Sequence, residues 1–249
     1  MPADPLEVLR ADPSSTVVAS DFDGTLAPIV DDPGAALPQP GAVEALELLA
    51  RRYAVVAVLS GRPVSFLEAH LPPVVQLHGL YGLEVLRGGV RVEPPGADQL
   101  RAAVGRAARD AVERLPDRVL VEDKGLSLTL HFRTSTDDAA LVQAVAEALG
   151  AQHGLLVRPA RMSVELHPPV AVDKGTALRG LAVGMRAACF VGDDAGDLAA
   201  FDALDDLAAT GVAVVRVAVT SAEAPAELLR RADLAVDGPA AVVELLRSL

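Results

Sequence analysis

A run of small and β-branched residues, Thr16–Ala19, leads directly into Ser20-Asp21-Phe22-Asp23-Gly24-Thr25-Leu26. Two acids at the end of an apolar run need an explanation, because burying charge without a partner is costly. Alternate residues share a face while the chain is extended. Asp21 therefore faces outward from the strand end, and Gly24 frees the backbone to curl Asp23 over whatever Asp21 meets. Taken alone, the segment also fits an ordinary turn, where Asp-Gly is common.

Three further segments repeat the arrangement. Ser60-Gly61-Arg62 follows the run Tyr53–Leu59 and offers a hydroxyl and a backbone N–H. Asp173-Lys174-Gly175 opens a helical stretch, placing an ammonium near a helix N-terminus, where an anion is favoured. Gly192-Asp193-Asp194-Ala195-Gly196-Asp197 follows the run Ala187–Val191 and begins another helix. Each has a plain alternative as a strand-end turn, a surface lysine or an N-cap. The recurrence of polar groups at successive strand ends points instead to one site, since open α/β sheets bind ligands beyond the carboxyl ends of their strands. The two motifs that hold Asp21, Asp23 and Asp193 contain no base of their own, and Lys174 is the cation set against them.

The elements that must position these residues alternate short β-branched runs with helical patterns, the mark of an α/β fold with a parallel, Rossmann-like sheet. Val74–Leu77, Val212–Val217 and Leu234–Val236 supply further strands, and Ala42–Arg52 a helix with Val43, Leu46 and Leu49 on one face. Pro239 opens a last helix, where its missing N–H does no harm. The middle reads differently. From residue 86 to 167 the order is hairpin, helix, two strands, helix, two strands, with strands at Val119–Glu122, Ser127–Phe132, Leu155–Arg158 and Ser163–Leu166. The expected organisation is thus a core of residues 1–85 and 168–249 with an inserted α+β module of 86–167, flanked by the hinge-like pairs Pro94-Pro95 and Pro168-Pro169.

Composition limits the partners. Apolar residues make up 51% of the 249, enough for a real core, while aromatics are 3% and Trp is absent. Few stacking groups, and 34 acids against 22 bases for a net charge of −12, argue against nucleic acid. The N-terminal MPADPLEVLRADP has no apolar signal core, and no apolar stretch approaches the ~20 residues of a spanning helix, so no membrane is expected. The single Cys189 lies in an apolar run as a small core residue, and a cytoplasmic monomer is the expected form.

The four strand-end motifs together resemble the haloacid dehalogenase superfamily of phosphotransferases, over the whole chain. The insert between Ser60 and Lys174 matches that superfamily's C2-type cap. The resemblance implies that Asp21 is a covalent nucleophile on phosphorus and Asp23 a general acid and base. It implies Mg²⁺ held by Asp21, the backbone carbonyl of Asp23 and Asp193, with Asp194 and Asp197 behind them. Thr25, Ser60, Gly61 and Lys174 would hold the phosphoryl oxygens.

The insert is similar to the cap of trehalose-6-phosphate phosphatases. Glu122 and Lys124 form an E-x-K pattern, His131 and Arg133 an H-x-R pattern, and Arg161 and Glu165 a basic-x-x-x-E pattern. These charged residues are expected on adjacent strands, where carboxylates and cations meet sugar hydroxyls. His78-Gly79 and Gly82-Leu83-Glu84 fit the same family. Two positions depart from it: Arg161 stands where Lys is usual, and Leu198 where an acid follows Asp197. The implied reaction is hydrolysis of trehalose 6-phosphate, with a small sugar phosphate as partner. Sucrose 6-phosphate, glucosylglycerol phosphate or a mannosyl phosphate as substrate, a mutase, and a non-catalytic sugar-phosphate sensor stay open.

Overall fold

The computed structural model describes residues 4–30, 32–160, 162–221 and 224–249. The role expected of Arg161 lies outside the described residues. The chain divides into two compact units, Met1–Val92 with Val172–Leu249, and Glu93–Ala171.

The first unit is built on an eight-stranded sheet. Its centre is β1 (Thr16–Ser20), flanked in parallel by β2 (Val55–Leu59) and β10 (Ala187–Gly192). Beyond β10 lie β11 (Ala213–Thr220) and β12 (Leu234–Asp237); beyond β2 lies β3 (Gln76–Gly79). An antiparallel hairpin, β4 (Glu84–Arg87) and β5 (Val90–Val92), completes the edge. The hairpin that the sequence places at the start of the insert therefore pairs with β3 and extends the core sheet.

Period-2 alternation divides the sheet's side chains between two apolar layers. Val18, Cys189 and Val191 pack on one face with Leu46 and Leu49 of α2 (Ala42–Ala50) and Val242 and Leu246 of α9 (Gly238–Ser248). Val17, Ala19, Ala188 and Phe190 pack on the other with Leu178 of α6 (Lys174–Leu181) and Phe201 and Leu204 of α7 (Leu198–Ala209). Both faces being covered, β1 and β10 are buried along their whole length. Burial pushes the Cys189 thiol up to about 12, so it is an inert core group. A short helix, α3 (Val64–His70), between β2 and β3 is not foreseen by the sequence reading; its seven residues are too few to show a clear period.

The second unit is a four-stranded antiparallel sheet, order β6 (Leu120–Asp123), β7 (Leu128–His131), β9 (Ser163–His167), β8 (Leu156–Ala160). Val104, Ala107 and Ala111 of α4 (Ala97–Arg114) and Val142, Ala146 and Leu149 of α5 (Ala139–His153) pack on Leu128, Leu130, Val164 and Leu166. The residues between those apolar positions form the opposite, polar face. Among the described residues no helix is long and apolar enough to cross a membrane.

Candidate active site

Asp21 is the first residue past β1, and its amide donates to the Val191 carbonyl of β10 at 2.9 Å, continuing the ladder by one step. Its carboxylate is buried and lies 2.9 Å from the Lys174 ammonium. Lys174 reaches it from the first turn of α6, whose start is fixed by a capping box between Asp173 and Thr176. Gly175 makes that position possible: a Cβ there would stand 2.2 Å from the Ala199 carbonyl of α7. The two helices therefore touch where Lys174 emerges.

Asp197 holds Lys174 from the other side. Its Oδ1 accepts from the ammonium at 2.6 Å, and its Oδ2 accepts the Asp193 and Asp194 amides at 2.8 and 3.1 Å. Among the described residues, the polar contacts of this enclosed carboxylate are to the motif it belongs to and to Lys174. Gly192 is required beside it, because a Cβ would overlap the Asp197 carboxyl.

Four carboxylates, Asp21, Asp193, Asp194 and Asp197, crowd this one ammonium. Burial, then neighbouring negative charge, raises Asp193 to about 7. Burial raises Asp197 to about 6, although Lys174 opposes the shift. Burial likewise holds Asp21 well above the usual carboxylate range against the pull of Lys174. Burial alone would lower Lys174, but Asp197 and Asp21 hold it well above its ordinary value, so it stays charged. The cluster carries more negative charge than one ammonium balances, which a cation would relieve.

The donor set suits such a cation. Carboxylate oxygens of Asp21, Asp194 and Asp197 lie within 4.8 Å of one another, with no sulfur or imidazole in the group. All-oxygen donors favour a hard divalent ion. The arrangement differs from the expected ligand set. Asp194, expected behind the ligands, shares the cluster with Asp21, whereas Asp193 turns toward the first motif. Its carboxylate covers Gly24, where a Cβ would come within 2.1 Å, and accepts from the Thr25 hydroxyl at 3.2 Å. Thr25, expected to hold a phosphoryl oxygen, is fully enclosed and spends its hydroxyl proton on Asp193 instead.

Ser60 stands at the end of β2, also buried, and its Oγ accepts the Arg62 amide at 3.1 Å. Accepting that bond leaves the hydroxyl proton to donate. Gly61 is covered by Tyr81, whose hydroxyl would sit 2.8 Å from a Cβ there. Leu80 and Tyr81 both have left-handed backbone, φ 49° and 62°, a strained pair held by Leu80 and Tyr81 amides donating to the Arg62 and Ser60 carbonyls. Asp23 is not alone with Lys174 as the only nearby base: Arg62 grips it with two bonds of 2.7 Å. Arg62 falls within the Ser60-Gly61-Arg62 motif, but nothing in the sequence marks its side chain as the partner of Asp23, and nothing in the spacing of Tyr81 marks it as the cover of Gly61.

In the second unit, pairing aligns Glu122, Thr129, Glu165 and Arg158 in one row across all four strands. Lys124, just past β6, reaches Glu165 at 3.2 Å and Glu122 at 3.8 Å. His131 meets Glu122 at 2.7 Å, and Thr129 Oγ1 donates to Glu165 at 3.3 Å. Lys124 and Arg133 lie beyond the strand ends rather than on the strands, Arg133 in the turn after β7. Arg158 joins the polar row without having been singled out, because the register that brings it beside Glu165 is invisible in a one-dimensional pattern.

Comparison with known proteins places this architecture. A trehalose-6-phosphate phosphatase related protein shares the fold with a TM-score of 0.79 at 24% identity, over 93% of this chain and 96% of that one. A phosphatase of the haloalkanoate (HAD) enzyme superfamily from Bacteroides thetaiotaomicron shares it with a TM-score of 0.60 at 19% identity, over 94% of each chain. The fold is therefore that of the HAD class, an α/β core with a separate antiparallel module. The trehalose-phosphatase family model matches residues 19–233, and the chain belongs to that family. The trehalose-phosphate phosphatase of Mycobacterium ulcerans (strain Agy99) is 36% identical over 213 residues, 78% of this chain and 52% of that protein. The chain thus spans about half the length of the curated relatives it matches.

Proposed function

We propose that the chain hydrolyses trehalose 6-phosphate to trehalose and phosphate through a phosphorylated Asp21. The observation that carries this reading is the buried Asp21 carboxylate at the end of β1, 2.9 Å from an ammonium fixed by Asp197. An Asp21 oxygen attacks phosphorus and the bond from phosphorus to the sugar oxygen breaks, with Asp23 giving that oxygen a proton. Water then attacks the same phosphorus, the Asp21–phosphorus bond breaks, and Asp23 takes the water's proton. Lys174 and the Ser60 hydroxyl offset the charge on the transferring group. Mg²⁺ would be held by Asp21 and Asp194, with Asp193 and the Asp23 carbonyl as further oxygens, and when bound it lets an anionic nucleophile meet an anionic phosphate. The sugar is read by the second unit, through Glu122, Lys124, Arg133 and Glu165, whose charges make strong bonds to hydroxyls.

The test is Asp21→Asn, which keeps the volume and removes the nucleophile. Turnover should fall by several orders of magnitude with the circular dichroism spectrum unchanged. A folded variant retaining a tenth of wild-type activity excludes the covalent route.

A further inference from the structure

Asp23 stands two residues past Asp21, and its carboxylate does not lie loose at the site. The Arg62 guanidinium meets it as a fork, Nε to Oδ2 and Nη2 to Oδ1, each at 2.7 Å. Such two-point contact fixes the plane of a carboxylate as well as its position.

Arg62 is itself held from several sides. Its Nη1 donates to the Pro33 carbonyl at 2.6 Å, so a turn 29 residues away is tied to the same side chain. The guanidinium lies 4.5 Å from the centre of the Phe66 ring, which meets Phe22, the residue between the two acids, edge-on at 5.7 Å. Its backbone is pinned through its amide to Ser60 Oγ and through its carbonyl to the Leu80 amide. The side chain is 10% exposed, so little water competes for these bonds. A group this constrained transmits its position to what it grips.

We propose that Arg62 is a positioning residue for proton transfer: it aims the Asp23 carboxylate at the oxygen that leaves and, in the second step, at the attacking water. The inference rests on the reading of Asp23 as acid and base. It adds the physical link between the Ser60-Gly61-Arg62 loop and that role. Lys in place of Arg62 would keep a charge and lose the fork; Gln would lose both.

Two substrates separate aiming from mere support. The ratio kcat/KM reports steps up to phosphorylation of Asp21. Departure of the sugar oxygen from trehalose 6-phosphate needs a proton, whereas p-nitrophenolate leaves from p-nitrophenyl phosphate without one. For Arg62→Gln, kcat/KM on trehalose 6-phosphate should fall about 30- to 100-fold, less than the roughly 100- to 10,000-fold that a positioned acid contributes, because Asp23 is misaimed and not removed. On p-nitrophenyl phosphate it should change less than threefold. Arg62→Lys should show the same imbalance at smaller size, and carries the comparison if the Gln variant fails to fold. In an Asp23→Asn background, Arg62→Gln should cost less than a further threefold on the sugar phosphate. Equal losses on the two substrates, no loss on either, or full additivity with Asp23→Asn would each overturn the proposal and leave Arg62 as loop scaffolding. A wild-type protein that cleaves neither compound would instead refute the functional reading itself, before any variant is made.

Discussion

Asp197→Asn is the sharpest test of how the cluster is built, because the side chain is wholly enclosed and each of its oxygens has a defined partner. Its two oxygens accept three bonds, one from the Lys174 ammonium and two from backbone amides. Asparagine has one acceptor oxygen and one donor amide of similar size. If the oxygen keeps Lys174, the amide N–H groups point at the Asp193 and Asp194 N–H groups and orphan both; if it flips, they point at the ammonium. An orphaned buried donor costs about 1–3 kcal/mol. Removing one partner of a buried pair costs about 3–5 kcal/mol. Asp21 still faces Lys174 at 2.9 Å, so the ammonium is not stranded and the two costs do not simply add. About 3–5 kcal/mol in total is expected, or a melting temperature roughly 6–20 °C lower for a chain of this size. Calorimetry or circular dichroism melts in EDTA, at a pH near 8 where Asp197 is ionised in the wild type, read this directly. A fall under about 3 °C would mean that Asp197 does not hold Lys174 in the way its distances state.

Chelation with EDTA should abolish phosphate release, Mg²⁺ should restore it and Zn²⁺ alone should serve poorly, since the clustered donors are all oxygen; phosphate release that survives EDTA would exclude the metal's role. Stability should also follow pH in a defined direction. Asp193 is raised to about 7 in the folded chain, so folding binds protons there and the ionised form weakens the fold as pH rises from about 4 to 7. His78, lowered to about 4 by burial, acts in the opposite sense, losing stability as pH falls from 6.5 toward 4. The comparison that isolates Asp193 is therefore wild type minus Asp193→Asn in EDTA: its stability difference should move against the wild type by on the order of 2 kcal/mol between pH 5 and 8. A flat difference would refute the burial of that charge. Glu165→Ala and Lys124→Ala should lower kcat/KM on trehalose 6-phosphate about tenfold to a thousandfold and leave p-nitrophenyl phosphate nearly unchanged. Equal loss on both would make these residues supports of the second unit's sheet.

The strand-end groups were legible because each is announced locally: an apolar run, a turn, a polar side chain. Asp21, Ser60 and Asp193 stand where that grammar puts them, Lys174 opens α6 as the helix start predicts, and the parallel sheet follows from runs such as Thr16–Ala19 and Ala187–Val191 that are buried on both faces. What was not legible is pairing across distance. Thr25 and Asp193 meet across 168 residues, and Arg62 and Asp23 across 39, and neither contact leaves a periodic trace. Nor do two adjacent acids show in sequence that Asp194 gathers with Asp21 and Asp197 while Asp193 reaches the Thr25 hydroxyl. The edge hairpin was placed on the wrong side of the boundary for a similar reason. Its two strands read as a hairpin anywhere, and it is the antiparallel pairing of Glu84–Leu86 with Leu77–Gly79 that joins it to the larger sheet.

The position of β1 between β2 and β10 has a consequence for how the chain comes to exist. Synthesis delivers β1 to β5 and then the entire second unit before β10 is made, so one edge of β1 waits unpaired through that interval. An apolar strand with an open edge is a template for association with other chains. Long-range parallel pairing of this kind also forms slowly. The amide of Asp21 has no acceptor until Val191 arrives, and Lys174, Asp193 and Asp197 all come from the last third of the sequence. A ribosome-bound fragment ending before β10 would thus carry Asp21 and Lys174 without Asp193, Asp194 and Asp197. The last central strand to be synthesised closes the open edge and assembles the charged cluster in the same event, so protection from aggregation and acquisition of the site arrive together.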